Sequence, residues 1–192
     1  SPSSDHFKKW KIESAFFRRF LLSKTTSKSH PVHSDLHPEV EYLRRSFTAV
    51  DGLWFVKVEE AFGLDSAMDL DTKVWDVTGK IQARAAREIL GAAENNLDSL
   101  EKSLRLKASA EDYRIQLERS SPNRLNLRIT ACPWLEILKK SGRTHLADSI
   151  VRKICSADLG AWAREFGVEL EFEPEKTRCQ GCNSCVVSFV AA

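Results

Sequence analysis

No apolar stretch of this 192-residue chain approaches the roughly 18 residues that a membrane-crossing helix needs, so no transmembrane segment is expected. An excess of charge is missing too: 29 Lys and Arg against 27 Asp and Glu leave a formal net charge of +2. Nucleic-acid-binding domains carry a much stronger basic bias, which sets that class aside. The N-terminus lacks the clean apolar core and small-residue cleavage site of a secretory leader. No Ser/His/Asp set declares itself, and no internal repeat is visible. Cysteine occurs in an odd number, five, with three of them inside residues 179–185. A disulfide framework prefers an even count, wider spacing and a secreted chain. Reduced thiols in a cytoplasmic protein are the expectation.

What remains is an ordinary globular composition, 42% hydrophobic and 29% charged, on a chain long enough to bury a core. Residues 1–37 stand apart. Phe7, Trp10, Phe17 and Leu21 recur at helical spacing among Lys8, Lys9, Lys11, Arg18 and Arg19, which predicts a basic amphipathic helix over 5–23. Such a helix docks on its own domain, on a second copy, on a partner or on a membrane surface. The following Ser- and Thr-rich stretch, 23–37, reads as a linker. It carries His30, His33 and His37, whose spacing allows zinc or copper ligation but which sit in a segment with nothing to hold them rigid.

A single α+β domain is expected over 38–192, with a helical half (38–108) and a sheet and cysteine half (109–192). Pro38 suits the first turn of a helix to about Phe47. Asp51 is read as the cap of a second helix, Gly52–Phe62, stopped at Gly63. A long helix then runs to about Leu90, with Val74, Val77, Ile81, Ala85 and Ile89 as its apolar stripe, and a weaker one covers 97–107. The period then changes from 3.6 to 2. Tyr113, Ile115 and Leu117 alternate with polar residues, as do Leu125, Leu127 and Ile129, around the turn residues 120–123. This predicts a β-hairpin. Short helices at 133–141, 144–154 and 157–166 and strands at 168–172 and 185–190 complete a small antiparallel sheet with helices on one face.

The chemistry is carried by sulfur. Cys179, Cys182 and Cys185 follow a C-x₂-C-x₂-C spacing whose Gln-Gly and Asn-Ser pairs favour a loop wrapped round a centre. A fourth ligand is absent nearby, but Cys132 or Cys155 could supply it once the sheet assembles. Four thiolates suit structural zinc or a 4Fe-4S iron–sulfur cluster, and the cluster would point to electron transfer or redox sensing with a redox partner protein. Disulfide exchange and a nucleophilic Cys132 are the catalytic alternatives. Burial as small hydrophobes is the plainest reading of Cys132 and Cys155. In the helical half, Trp54, Trp75 and Arg84 are candidates for a small-molecule pocket, with Glu59 and Glu60 nearby. Adjacent glutamates on a helix point about 100° apart, so at most one faces inward.

The run DGLWFVKVEEAFGLDSAMDLDTKVWDVTGKIQAR (51–84) resembles the DGLWF-x-x-VEE…A…D-x-x-VW…AR signature of an uncharacterised family of small prokaryotic cytosolic proteins. That family is similar to the L-2-amino-thiazoline-4-carboxylic acid hydrolase-like proteins. The resemblance covers roughly residues 40–190. It implies a helical half followed by a sheet half with Cys-Pro (Cys132-Pro133), a second cysteine after a helical stretch (Cys155) and a third in a final strand (Cys185). It also implies a hydrolase alternative, in which a small cyclic substrate is opened with Cys132 as nucleophile or metal ligand and Glu59 or Glu60 as general base. Cys179 and Cys182 add thiols to that pattern.

Overall fold

The computed structural model describes residues 38–92 and 94–191; the expected basic helix and linker, with His30, His33 and His37, lie outside them. Helix α1 (Pro38–Phe62) opens on Pro38 with Glu39 and Glu41 in its first turn, where carboxylates oppose the positive end of the helix dipole. The break expected at Asp51-Gly52 does not occur. Asp51 turns its side chain to the interior instead of capping, and a helical Gly costs only about 1 kcal/mol against Ala. Gly63, at φ 86°, turns the chain into α2 (Leu64–Leu90), which ends on the left-handed Gly91. Helix α3 (Leu97–Glu111) is capped by Asn96, whose Oδ1 accepts the Ser99 N–H at 2.9 Å.

Strands β1 (Arg114–Ser121) and β2 (Arg124–Ala131) form the expected hairpin. Helix α4 (Pro133–Lys140) follows immediately. After a 3₁₀ turn, the backbone stays helical through α5 (Ala147–Ile150), a π-helical turn (Val151–Cys155) and α6 (Ser156–Glu165). Strands β3 (Val168–Phe172) and β4 (Cys185–Ala191) complete a four-stranded antiparallel sheet in the order β1-β2-β4-β3. The α+β architecture is as the patterning implied.

Register explains the core. Leu125 faces Phe189 and Leu127 faces Val187 across the central pair, and all four are buried. With period 2, that face carries the hydrophobic set, and Ala83, Leu100, Leu104 and Trp162 from α2, α3 and α6, with Phe166 just past the end of α6, pack against it. A second, smaller cluster gathers Met68, Trp75 and Ile154 with Phe55, Trp134 and Ile150.

Helix α2 corrects the sequence reading. Its buried face is made of small residues and one large ring: Ala67, Met68, Asp71, Trp75, Gly79, Ala83 and Ala86. The stripe of Val74, Val77, Ile81, Ala85 and Ile89 points outward, with Ile81 61% exposed. Small residues let α2 approach α6 closely, and the face chosen by residue size was the opposite one. No helix among the described residues is long and apolar enough to cross a membrane.

Candidate functional site

The cysteine loop starts on a buried Thr177. Its carbonyl accepts the Gln180 and Cys182 N–H groups at 3.0 and 3.1 Å, and its Oγ1 donates to the Pro174 carbonyl at 3.0 Å. A 3₁₀ turn (Arg178–Gln180) and Gly181, at φ 86°, then reverse the chain. This local reversal separates the C-x₂-C-x₂-C trio. Cys182 is exposed, whereas Cys179 and Cys185 are partly buried and line one cavity of about 90 Å³ together with Cys132 and Cys155. Those two arrive from the end of β2 and from the π-helical turn, so four separate segments supply the four thiols. A π-turn is a frequent mark of a functional position; here it is held by Ser156 Oγ donating to the Val151 carbonyl at 3.1 Å.

The charges of neighbouring thiols bear on one another: Cys185 on Cys132, Cys132 and Cys185 on Cys179, all three on Cys155, and Cys182 on Cys185. Burial is the main influence on the four that line the cavity. It pushes Cys132 and Cys179 up to about 11, Cys155 well above its ordinary value, and Cys185 upward. Opposing forces favour the thiolate. The Arg178 N–H donates to Cys185 Sγ at 3.3 Å, and the Arg178 guanidinium lowers Cys132, Cys179 and Cys185. The Leu135 and Trp134 N–H groups at the start of α4 make no capping bond to Cys132, yet their dipoles offset part of its rise. Among the described residues, no three His, Cys, Asp or Glu side chains close on a point in a way that holds a metal ion.

A larger cavity, about 160 Å³, adjoins the first through Tyr113, Cys132, Cys155 and Asp158. Trp75 and Trp134 stand edge to face in its wall at 5.6 Å and 87°. Asp51 from α1 and Asp71 from α2 open on it. Burial lifts Asp51 to about 6 against a hydrogen bond from Trp75, and lifts Asp71 to about 7 with the Asp51 charge adding to it. Behind this wall lies Lys107, which reaches Glu111 at 3.0 Å and Asp158 at 3.4 Å and sits over the rings of Trp75 and Trp162. Burial alone would discharge Lys107, but the two carboxylates outweigh it and hold its pKa above the usual value.

The helical-half candidates divide. Trp75 lines the cavity, while Trp54 is 55% exposed and Arg84 pairs with Glu165 at the surface. Glu60 is exposed and pairs with Lys57. Glu59 pairs with Arg143, whose guanidinium covers the Phe55 ring; neither glutamate lines a cavity. Sequence reasoning missed Asp51, Asp71, Lys107 and Tyr113 as site residues. A signal existed for one of them: Asp71 lies on the same face as Met68 and Trp75, at i+3 and i−4, where a carboxyl among apolar residues is out of place.

No curated protein and no solved structure matches the chain. One family model does, over residues 34–184, a span that includes the larger cavity and four of the five cysteines up to Cys182, while Cys185 and Val187 of the smaller cavity lie just beyond it. By that match, the chain belongs to a family of unknown function, DUF6125.

Proposed function

We propose that the chain is a metal–thiolate protein whose centre is held by Cys132, Cys155, Cys179 and Cys185, with Cys182 outside it. The observation that carries this reading is the convergence of four thiols, from four separate segments, on one cavity with apolar walls. The Arg178 N–H aimed at sulfur and its guanidinium favour the deprotonated ligand, against the burial and mutual repulsion that raise all four thiols, which the charge of a bound metal would have to overcome. Zinc asks more of the site than a cluster does. At a Zn–S distance of about 2.3 Å, four sulfurs must draw within about 4 Å of one another. An iron–sulfur cluster offers its irons to thiolates from several directions, and its potential is tuned by hydrogen bonds to sulfur. We favour the cluster and a redox role, in a reducing compartment such as the cytoplasm, since all five cysteines are free.

Iron, acid-labile sulfide and zinc are measured on anaerobically purified full chain. Bound iron with sulfide supports the cluster; about one zinc without iron transfers the same ligands to a structural site. In either case the Ser variants of Cys132, Cys155, Cys179 and Cys185 lose the metal, and Cys182→Ser keeps it. Five titratable thiols in native, metal-free protein would sink the proposal.

A second reading is favoured by one observation: Cys132 opens on both cavities. Together with the thiazoline-hydrolase resemblance, this makes Cys132 a candidate nucleophile facing a substrate cavity. Its raised pKa opposes that role. Release of free cysteine from the thiazoline, lost in Cys132→Ser, would promote this reading over the first.

A further inference from the structure

Two carboxylates of the larger cavity, Asp51 and Asp71, have no counter-charge, whereas Asp158 is paired with Lys107. Among the described residues, neither Asp51 nor Asp71 forms an ion pair, because the two cations nearby are engaged elsewhere: Lys107 with Glu111 and Asp158, and Arg143 with Glu59. Asp71 is only 4% exposed, and its Oδ1 has no hydrogen-bond partner although the side chain lines the cavity. Asp158 Oδ1, on α6, is likewise without a partner. Buried polar atoms are almost always satisfied, so a carboxyl oxygen left open toward an empty volume marks the place of a missing donor.

We propose that this cavity binds a small organic cation, a primary ammonium or amidinium on an apolar body about the size of one ring, between Asp51 and Asp71 and against the Trp75 and Trp134 rings. Each part of the wall selects for that class. The carboxylates accept charged N–H donors. Ring faces and edges accept a flat apolar body and stabilise positive charge. The volume, about 160 Å³, is close to that of cavities known to admit benzene. Anions meet like charge, and a neutral alcohol of the same shape offers one uncharged donor in place of a charged group with several, so both bind more weakly.

The site adjoins the thiol cavity but requires nothing bound there, so the two readings fail separately: one on metal content, the other on ligand binding. The test uses the full chain at pH 8, with calorimetry and thermal shift, and benzylamine and benzamidine as probes against benzyl alcohol and benzoate. The cations are expected to bind saturably and raise Tm, and the neutral and anionic isosteres to bind at least about ten-fold more weakly. Asp51→Asn and Asp71→Asn should each weaken the cations about ten-fold or more while keeping the native circular dichroism. Asp69→Asn, an exposed carboxylate on the same helix paired with Lys153, should leave them unchanged. Equal binding of benzyl alcohol, cation binding that survives both cavity variants, or no saturable cation binding overturns the proposal.

Discussion

Of the three glycines within helices, Gly52, Gly79 and Gly160, the first two have surroundings that give them opposite roles. A Cβ built on Gly79 would stand 2.8 Å from Asp158 Oδ1, 3.0 Å from the Asp158 carbonyl oxygen and 3.0 Å from Ala161 Cβ. The carbonyl belongs to α6 and cannot swing away as a flexible side chain would. One built on Gly52 would meet nothing within 4 Å. Helix propensity favours Ala over Gly by about 1 kcal/mol at either site. At Gly52 nothing opposes that gain, so Gly52→Ala should stabilise by about 0.5–1 kcal/mol. At Gly79 the overpacking outweighs it, and Gly79→Ala should destabilise by about 1–2 kcal/mol, lowering Tm by several degrees in a protein of this length. Urea denaturation of the two variants measures both signs. A stabilised Gly79→Ala would show that α2 and α6 are not in close contact.

At the scale of the element, the same contact explains what patterning revealed and what it hid. The hairpin was legible because Ile115, Leu117, Leu125, Leu127 and Ile129 alternate with polar residues, and period 2 has one interpretation. Helix α2 was legible as a helix but not in its orientation. Its outward stripe contains Val74, Val77 and Ile81, larger than the Ala and Gly of its buried face. Hydrophobic size pointed one way and close packing the other. For the cysteine trio, spacing describes the chain, whereas the turn at Gly181 leaves Cys182 exposed and Cys179 and Cys185 partly buried. The substitution that separates the two faces is direct. Ile81→Asn removes no core contact and should change stability by no more than about 0.5 kcal/mol. Ala83→Leu forces three heavy atoms into a position that is 0% exposed and should cost about 2–3 kcal/mol. If instead Ile81→Asn is the costly change, the outward stripe is covered by another surface in solution.

For the molecule as a whole, buried acids give stability a dependence on pH. Paired surface carboxylates such as Glu41 and Glu165 have pKa values below normal; they stabilise above their unfolded values and lose that effect in acid. Each is paired with an arginine near the surface, where solvent screens the pair, so they contribute little. Asp51 and Asp71 act in the opposite sense. Each rises from an ordinary value of 3.8, to about 6 and about 7. An acid whose folded pKa exceeds its unfolded one binds more protons when folded, so its contribution is present in full below the unfolded value. It is lost as pH climbs through the folded values. The two carboxyls influence each other, so their shifts do not add, and the loss is on the order of a few kcal/mol. Denaturant unfolding should therefore show stability falling between about pH 4 and pH 7.5, below the range in which the buried thiols ionise. Asp71→Asn keeps the shape, removes the charge and relieves Asp51 of its neighbour. It should flatten that fall and make the variant more stable than the parent at pH 8, by about 1–3 kcal/mol. A stability profile that rises through this window, unchanged by Asp71→Asn, would mean that the two carboxyls are already matched by a cation and that the cavity wall has no charge to offer a ligand.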